Sequence, residues 1–402
     1  MLARFRRELW ALLTAFGVYG LIFWPVTAWY GPNLIAKEVS TLSDLKVNAS
    51  TVIGRDFVNI WHGGGEAARH GAQAVYDREA YRATLKEAAG VKGIYAFSYP
   101  PHMLMLAAPF GLLSYPAALA LWSLGGLAFF WIAARPWLHE VGLPSWSVLL
   151  LPGAIINLWA GHFGFLIGGL ALLGFWHAER APTRSAAAFA LMTVKPHLGL
   201  LVPVVLLAKM RWRLIWLTGV GTLALVLVSV AVLGHGAWTA WFSSTLAFQL
   251  SLTSQTTGAE FILMMPTVKR ALTSIGAVPA LVTGVPLVVA LVTVALLLFI
   301  VKRSAPVRQV GLASQVATIL ILPYAFHYDL VITSLIALLT AKRWRSRWYM
   351  PDRLICGAAF VVPLVQVPLA KLGWWLSPVA IGALFLLLCW RLTTDAVGRV
   401  DG

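Results

Sequence analysis

The chain reads as an all-α, polytopic membrane protein, and three observations carry that reading. Of its 402 residues 59% are hydrophobic and only 11% are charged, with a mean hydropathy of +0.79. Soluble domains carry about 25% charged residues, so a soluble fold is excluded. Apolar stretches near the roughly 20 residues needed to cross a bilayer recur about a dozen times. These runs do not alternate as barrel strands would, and backbone in lipid must satisfy its own hydrogen bonds, which leaves helices.

The apolar segments fall near 9–30, 99–114, 116–134, 144–159, 163–178, 185–208, 213–234, 279–301, 310–326, 329–341, 354–370 and 374–391. The first follows Arg4, Arg6 and Arg7 and ends near Val26-Thr27-Ala28, as a signal peptide would. At about 20 residues it is long for a cleaved h-region, so a retained anchor is expected. Twelve crossings, beginning in the cytoplasm, return the C-terminus there. The bundle would form one domain over residues 1–402, with external loops at 31–98 and 235–278 and short helices lying at the outer interface.

Basic clusters support that sidedness. Lys209, Arg211 and Arg213, then Lys302, Arg303 and Arg308, then Lys342, Arg343, Arg345 and Arg347 all land inside. There they would meet anionic membrane lipids. The net charge of +16 is therefore a topology signal, and no nucleic-acid partner is expected. Arg135, Arg180 and Arg184 fall outside, against the rule. Segments 99–114 and 329–341 are short, and Pro196 interrupts 185–208. Broken helices that line a cavity rather than lipid account for such departures. The second loop begins with Trp238, Trp241 and Phe242, which suits a helix at headgroup level. Cys356 and Cys389 lack metal spacing and are expected to pack.

The first loop is where chemistry is expected. It holds seven of the fifteen acidic residues: Glu38, Asp44, Asp56, Glu66, Asp77, Glu79 and Glu87. Asp56 follows Arg55 and precedes the aromatic-rich stretch Phe57 to Trp61; it reads either as a solvated acid paired with Arg55 or as a general base at the membrane face. His62 and Glu66, four apart, share a helix face, but Gly63-Gly64-Gly65 weakens that helix. A structural or substrate-contact role fits them better than a metal site. No Asp-x-Asp, His-x-x-x-His or Cys cluster occurs, so neither metal nor cofactor is indicated.

Further candidates interrupt the apolar runs. Ser98-Tyr99-Pro100-Pro101-His102 opens a helix and places Tyr99 and His102 at the outer face. Lys195-Pro196-His197 puts a lysine inside an apolar segment, which is costly unless it pairs, faces a polar cavity or snorkels; Lys195 and His197 are candidate phosphate contacts. Pro323 to Asp329 lies between two apolar segments, so His327 and Asp329 read as sugar or phosphate contacts or as a polar connection. His162 reads as a satisfied polar residue between packed helices.

Taken in order, Asp56-Phe57 after the first helix, Ala74-Val75-Tyr76-Asp77, Phe97-Ser98-Tyr99-Pro100-Pro101, Gly161-His162, Lys195-Pro196, Arg211-Trp212-Arg213 and His327-Tyr328-Asp329 resemble the polyprenyl-phosphate-dependent mannosyltransferases of glycosyltransferase family 87, in the GT-C class. The resemblance covers most of residues 10–340 and rests on order and spacing, since no single motif is specific. It implies a GT-C-like bundle, a polyprenyl-phosphate-sugar donor, a lipid or glycan acceptor, and an active site on the periplasmic face of the inner membrane. It maps the catalytic aspartate to Asp56. The glycine run at 63–65 departs from the family's first loop. A transporter or flippase of a lipid-linked sugar is the rival reading; the acid-rich first loop and the absence of repeat symmetry weigh against it.

Overall fold

A computed structural model describes residues 46–48, 51–90, 95–254, 260–303, 305–345 and 349–397. The expected first crossing at 9–30, its basic flank, and Glu38 and Asp44 lie outside these residues. Helices dominate. One departure from an all-α chain is a two-stranded antiparallel ribbon, β1 (Lys46–Asn48) with β2 (Thr51–Val52), which leads into the Asp56 turn.

Two helices follow in the first loop. α1 (Phe57–His70) starts at Asp56 and α2 (Arg78–Ala89) at Asp77. Asp77 caps its helix in the usual way, its carboxylate accepting from the Glu79 and Ala80 N–H groups at 3.1 Å. The glycine run does not break α1. It forms a seam along which α1 lies directly against α3 (His102–Gly111). A Cβ on Gly64 would sit 2.2 Å from the Ala107 carbonyl oxygen, and one on Gly111 would sit 2.1 Å from the Gly65 nitrogen. Small residues let two backbones touch, and here that contact outweighs the poor helix propensity of glycine.

The remaining helices are α4 (Tyr115–Glu140), α5 (Pro152–Ala160), α6 (Gly164–His177), α7 (Pro182–Leu191), α8 (Val202–Ala208), α9 (Trp212–Leu233), α10 (His235–Ser254), α11 (Val268–Ser274), α12 (Pro279–Lys302), α13 (Val307–Ile321), α14 (Val331–Arg343), α15 (Met350–Lys371) and α16 (Ser377–Val397). Among the described residues five of them, α4, α9, α12, α15 and α16, are long and apolar enough to cross a membrane. The other expected segments within the described residues form shorter pieces. The segment at 185–208 is split: α7 and α8 are separated by 3-10 turns on either side of Lys195. The stretch at 235–278 is largely helical, holding α10 and α11.

Burial sorts these helices by their surroundings. α9 exposes Trp216, Leu223, Leu227 and Val232, an apolar surface suited to lipid, whereas α6 buries ten of its residues against neighbouring helices. Between α13 and α14 the chain leaves helix at Leu322 and re-enters through a 3-10 turn, His327–Leu330. Gly153 lets α5 press on this junction, since a Cβ there would meet the Val331 Cα at 2.4 Å. Asn157 Nδ2 donates to the Tyr328 carbonyl at 3.1 Å. The end of α5, the starts of α1 and α14 and the Lys195 break thus converge on one place. Cys356 and Cys389 are both free and buried.

Candidate active site

A cleft open to solvent lies at that convergence. Arg55, Asp56, Asn59, Ser98, Tyr99, His162, Lys195, His197, Tyr324 and Tyr328 supply its polar lining, and Phe248, Phe261, Met264 and Phe326 part of its apolar wall.

Asp56 is held by its backbone. Its N–H donates to the Ala160 carbonyl at 3.1 Å, which ties the turn to the end of α5. Gly161, at φ +57°, makes the approach feasible, because a Cβ there would lie 2.7 Å from that of Phe57. Arg55 adopts φ +28°, a strained region for a residue with a side chain. Phe57, fully buried, packs against Phe110, Tyr115 and Trp122 at 6.3, 5.6 and 6.0 Å between ring centroids, and such aromatic pairs are worth about 0.5–1.5 kcal/mol each. The turn is therefore anchored on both sides of the aspartate.

The Asp56 side chain is left available. Unlike Asp77 it makes no capping hydrogen bond, although it sits at the helix start. Arg55 Nε lies 4.0 Å from Oδ1, and the Arg55 guanidinium rests over Trp159 at 5.7 Å. Burial raises the Asp56 pKa above the ordinary value of 3.8, while Arg55, a hydrogen bond from Tyr328 and the charge of Lys195 pull it back. A carboxylate with a raised pKa is a stronger base than a solvated one. Asn59, one turn along α1, shares this face; Tyr81 holds it by donating from its hydroxyl to Asn59 Oδ1 at 3.2 Å.

A second charged group forms the far wall. Lys195 Nζ donates to Asp329 Oδ1 at 2.5 Å, with the two side chains 5% and 0% exposed. Asp329 Oδ2 accepts the Phe326 N–H at 3.2 Å. His162 Nδ1 lies 3.4 Å from Lys195 Nζ and its Nε2 lies 3.1 Å from the Tyr99 hydroxyl. An ammonium only donates, so Nδ1 accepts, which assigns the ring proton to Nε2 and makes the Tyr99 oxygen the acceptor. The Tyr99 hydroxyl proton is then free to point elsewhere. The His162 ring stacks on Tyr328 at 4.1 Å.

Of the residues singled out in the sequence, Arg55, Asp56, Tyr99, Lys195 and His197 line the cleft. Asp329 and His327 sit behind the lining: Asp329 supports Lys195, while His327 packs on Trp159 at 6.2 Å with no hydrogen-bond partner for its Nδ1 among the described residues. Three expected contacts face elsewhere. His62 bonds Thr84 Oγ1 at 2.9 Å, and burial pushes its pKa down to about 4. Glu66 pairs with Arg69 and His70, each at 3.2 Å. His102 meets Thr193 Oγ1 at 3.2 Å and stacks on Trp238. Packing of the glycine seam turns the first two away from the cleft. Asn59, Tyr328 and the cleft-lining role of His162 were not foreseen; the i, i+3 spacing from Asp56 was the available signal for Asn59.

Fold and site together define a helical membrane protein with a charged cleft lined by one carboxylate, Asp56, and by Arg55 and Lys195. The family model of glycosyltransferase family 87 matches residues 97–323, more than half of the chain. The chain belongs to glycosyltransferase family 87, and is thus a membrane glycosyltransferase. The match takes in Tyr99, His162, Lys195 and His197 and leaves Asp56 and Asp329 outside it. No curated protein and no solved structure matches the chain.

Proposed function

We propose that this protein transfers a hexose, mannose in the first instance, from a polyprenyl-phosphate donor to a hydroxyl of a lipid or glycan acceptor. The reaction is a single inverting displacement. Asp56 accepts the proton of the acceptor hydroxyl as its oxygen bonds to the anomeric carbon, and the bond from that carbon to the phosphate oxygen breaks with its electron pair. Polyprenyl phosphate leaves, and no covalent intermediate is needed, in contrast to the two-carboxylate chemistry of retaining glycosidases.

The observation that carries this reading is the unequal state of the two acids at the cleft. Asp56 lines it, partly exposed and with only a loose pair to Arg55 and a hydrogen bond from Tyr328, whereas Asp329 is fully buried and bound to Lys195. Arg55 beside Asp56, with Lys195 and His197 elsewhere in the lining, supplies donors suited to a leaving phosphate. The apolar wall around Phe248, Phe261 and Met264 suits the first isoprene units. In this reading the helices form a GT-C bundle of about twelve crossings, with the 31–98 loop and the cleft on the periplasmic face of the inner membrane.

The test uses purified protein in lipid nanodiscs with polyprenyl-phosphate-mannose carrying labelled sugar and a membrane-lipid extract as acceptor. The expected result is labelled glycolipid and polyprenyl phosphate in equal amounts, with a raised donor KM in Lys195→Ala. Transfer from a nucleotide sugar, or uptake of sugar into sealed vesicles without transfer, would overturn it.

A further inference from the structure

The cleft is not the only cavity between the helices. Tyr324 and Tyr328 lie at the turn that joins α13 to α14, whereas Gln309 and Arg343 lie at the opposite ends of the same helices. The 13 residues of α14 span about 20 Å. At that far end a small groove, open to its surroundings, lies between α4, α13, α14 and α16. Its walls include Trp137, Leu312, Leu339, Leu388 and Leu392, and Arg343 contributes a cation to them.

The charge beside this cavity does not cancel. Arg308 Nη1 donates to Glu140 Oε2 at 3.0 Å, and Arg343 pairs with the other oxygen of the same carboxylate. Two guanidinium groups on one carboxylate leave an excess positive charge. All three side chains are about a quarter exposed (24%, 25% and 28%), so further donors remain reachable. Lys342 and Arg345 flank Arg343 in sequence and have no carboxylate partner among the described residues. A greasy slot with surplus cations at its mouth, at a helix end of a membrane protein, matches a phosphate headgroup carrying an acyl chain.

We propose that this cavity binds an anionic glycerophospholipid. One acyl chain lies between α13, α14 and α16, and the phosphate meets Arg343 and Arg308. The site is separate from the cleft and does not depend on which sugar is transferred.

The experiment titrates the full-length purified protein in detergent with phosphatidylglycerol or phosphatidylcholine, read by native mass spectrometry and by thermal unfolding. Phosphatidylglycerol should be retained and should raise the Tm, with binding that weakens as salt rises. Arg343→Gln should weaken it about fivefold, the worth of one cation near a lipid headgroup. Leu339→Trp fills the slot with the charges intact and should weaken it as well. The Tm of each variant without lipid shows that it is folded. Equal retention of phosphatidylcholine, unchanged binding in either folded variant, or one-for-one displacement by polyprenyl phosphate would each overturn the proposal.

Discussion

Two turns of this molecule each bring an aspartate to the start of a helix beside the cleft, and they use it in opposite ways. At the Asp56 turn the backbone carries the attachment, through the bond to Ala160 and the buried Phe57, while the carboxylate is 20% exposed and makes no cap bond. At the Asp329 turn the side chain carries it, with one oxygen on Lys195 and the other on the Phe326 N–H, and exposure is 0%. Nearness to a cleft does not make a base. An acid whose oxygens are already committed holds structure, and one positioned by its backbone can react.

Removing the tie at the second turn should produce the largest change in stability. Asp329→Ala leaves Lys195 buried without its partner, and we expect a loss of about 3–5 kcal/mol, read by denaturant unfolding in detergent. Replacing both members, Lys195→Met with Asp329→Leu, should recover most of that stability while transfer stays impaired. Recovery of transfer as well would erase the distinction between the two walls. At the α1–α3 seam, Gly64→Ala should cost about 1–3 kcal/mol through overpacking, since its Cβ meets a backbone carbonyl. A neutral result in the same unfolding assay would show that the seam gives easily.

The pH dependence sharpens the first turn. The base works as a carboxylate, so kcat/KM should hold a plateau above the Asp56 pKa and fall about tenfold per unit below it. Burial raises that pKa above 3.8, so the acid limb should begin at a higher pH than for a solvated aspartate. An inflection at or below the ordinary value would contradict the assignment. The smallest effect is expected at His62, which faces Thr84: His62→Gln should leave the transfer rate within about twofold, as expected of a residue outside the cleft. A large fall in donor affinity would return it to the site.

Among the described residues the apolar segments fold largely as helix, whole or in pieces, because an apolar run in lipid has little alternative. The break at Lys195 was legible for the same reason, since a charge and a proline together inside a greasy run demand a special setting. Its partner was not legible: Asp329 is 134 residues away, and only packing joins them. His62 and Glu66 show the converse limit. Spacing four apart shows that they share a helix face, but which face meets the cleft depends on the contact of Gly64 with Ala107. Glu66 also lies ten residues beyond Asp56 in sequence, about 15 Å of helix. The glycine run looked like weakness because propensity is local and the seam is not. Asp56 was singled out by loop position and family pattern, and that its carboxylate does not cap its own helix emerged only from the fold.

The most direct measurement is single-turnover transfer from pre-bound labelled donor, comparing the intact protein with Asp56→Asn. The amide keeps size and removes the base. Transfer should fall by about 10²–10⁴-fold, with donor affinity within a few-fold and the unfolding transition unchanged. A rate within tenfold of the intact protein, in a folded variant that binds donor, would contradict Asp56 as the catalytic base.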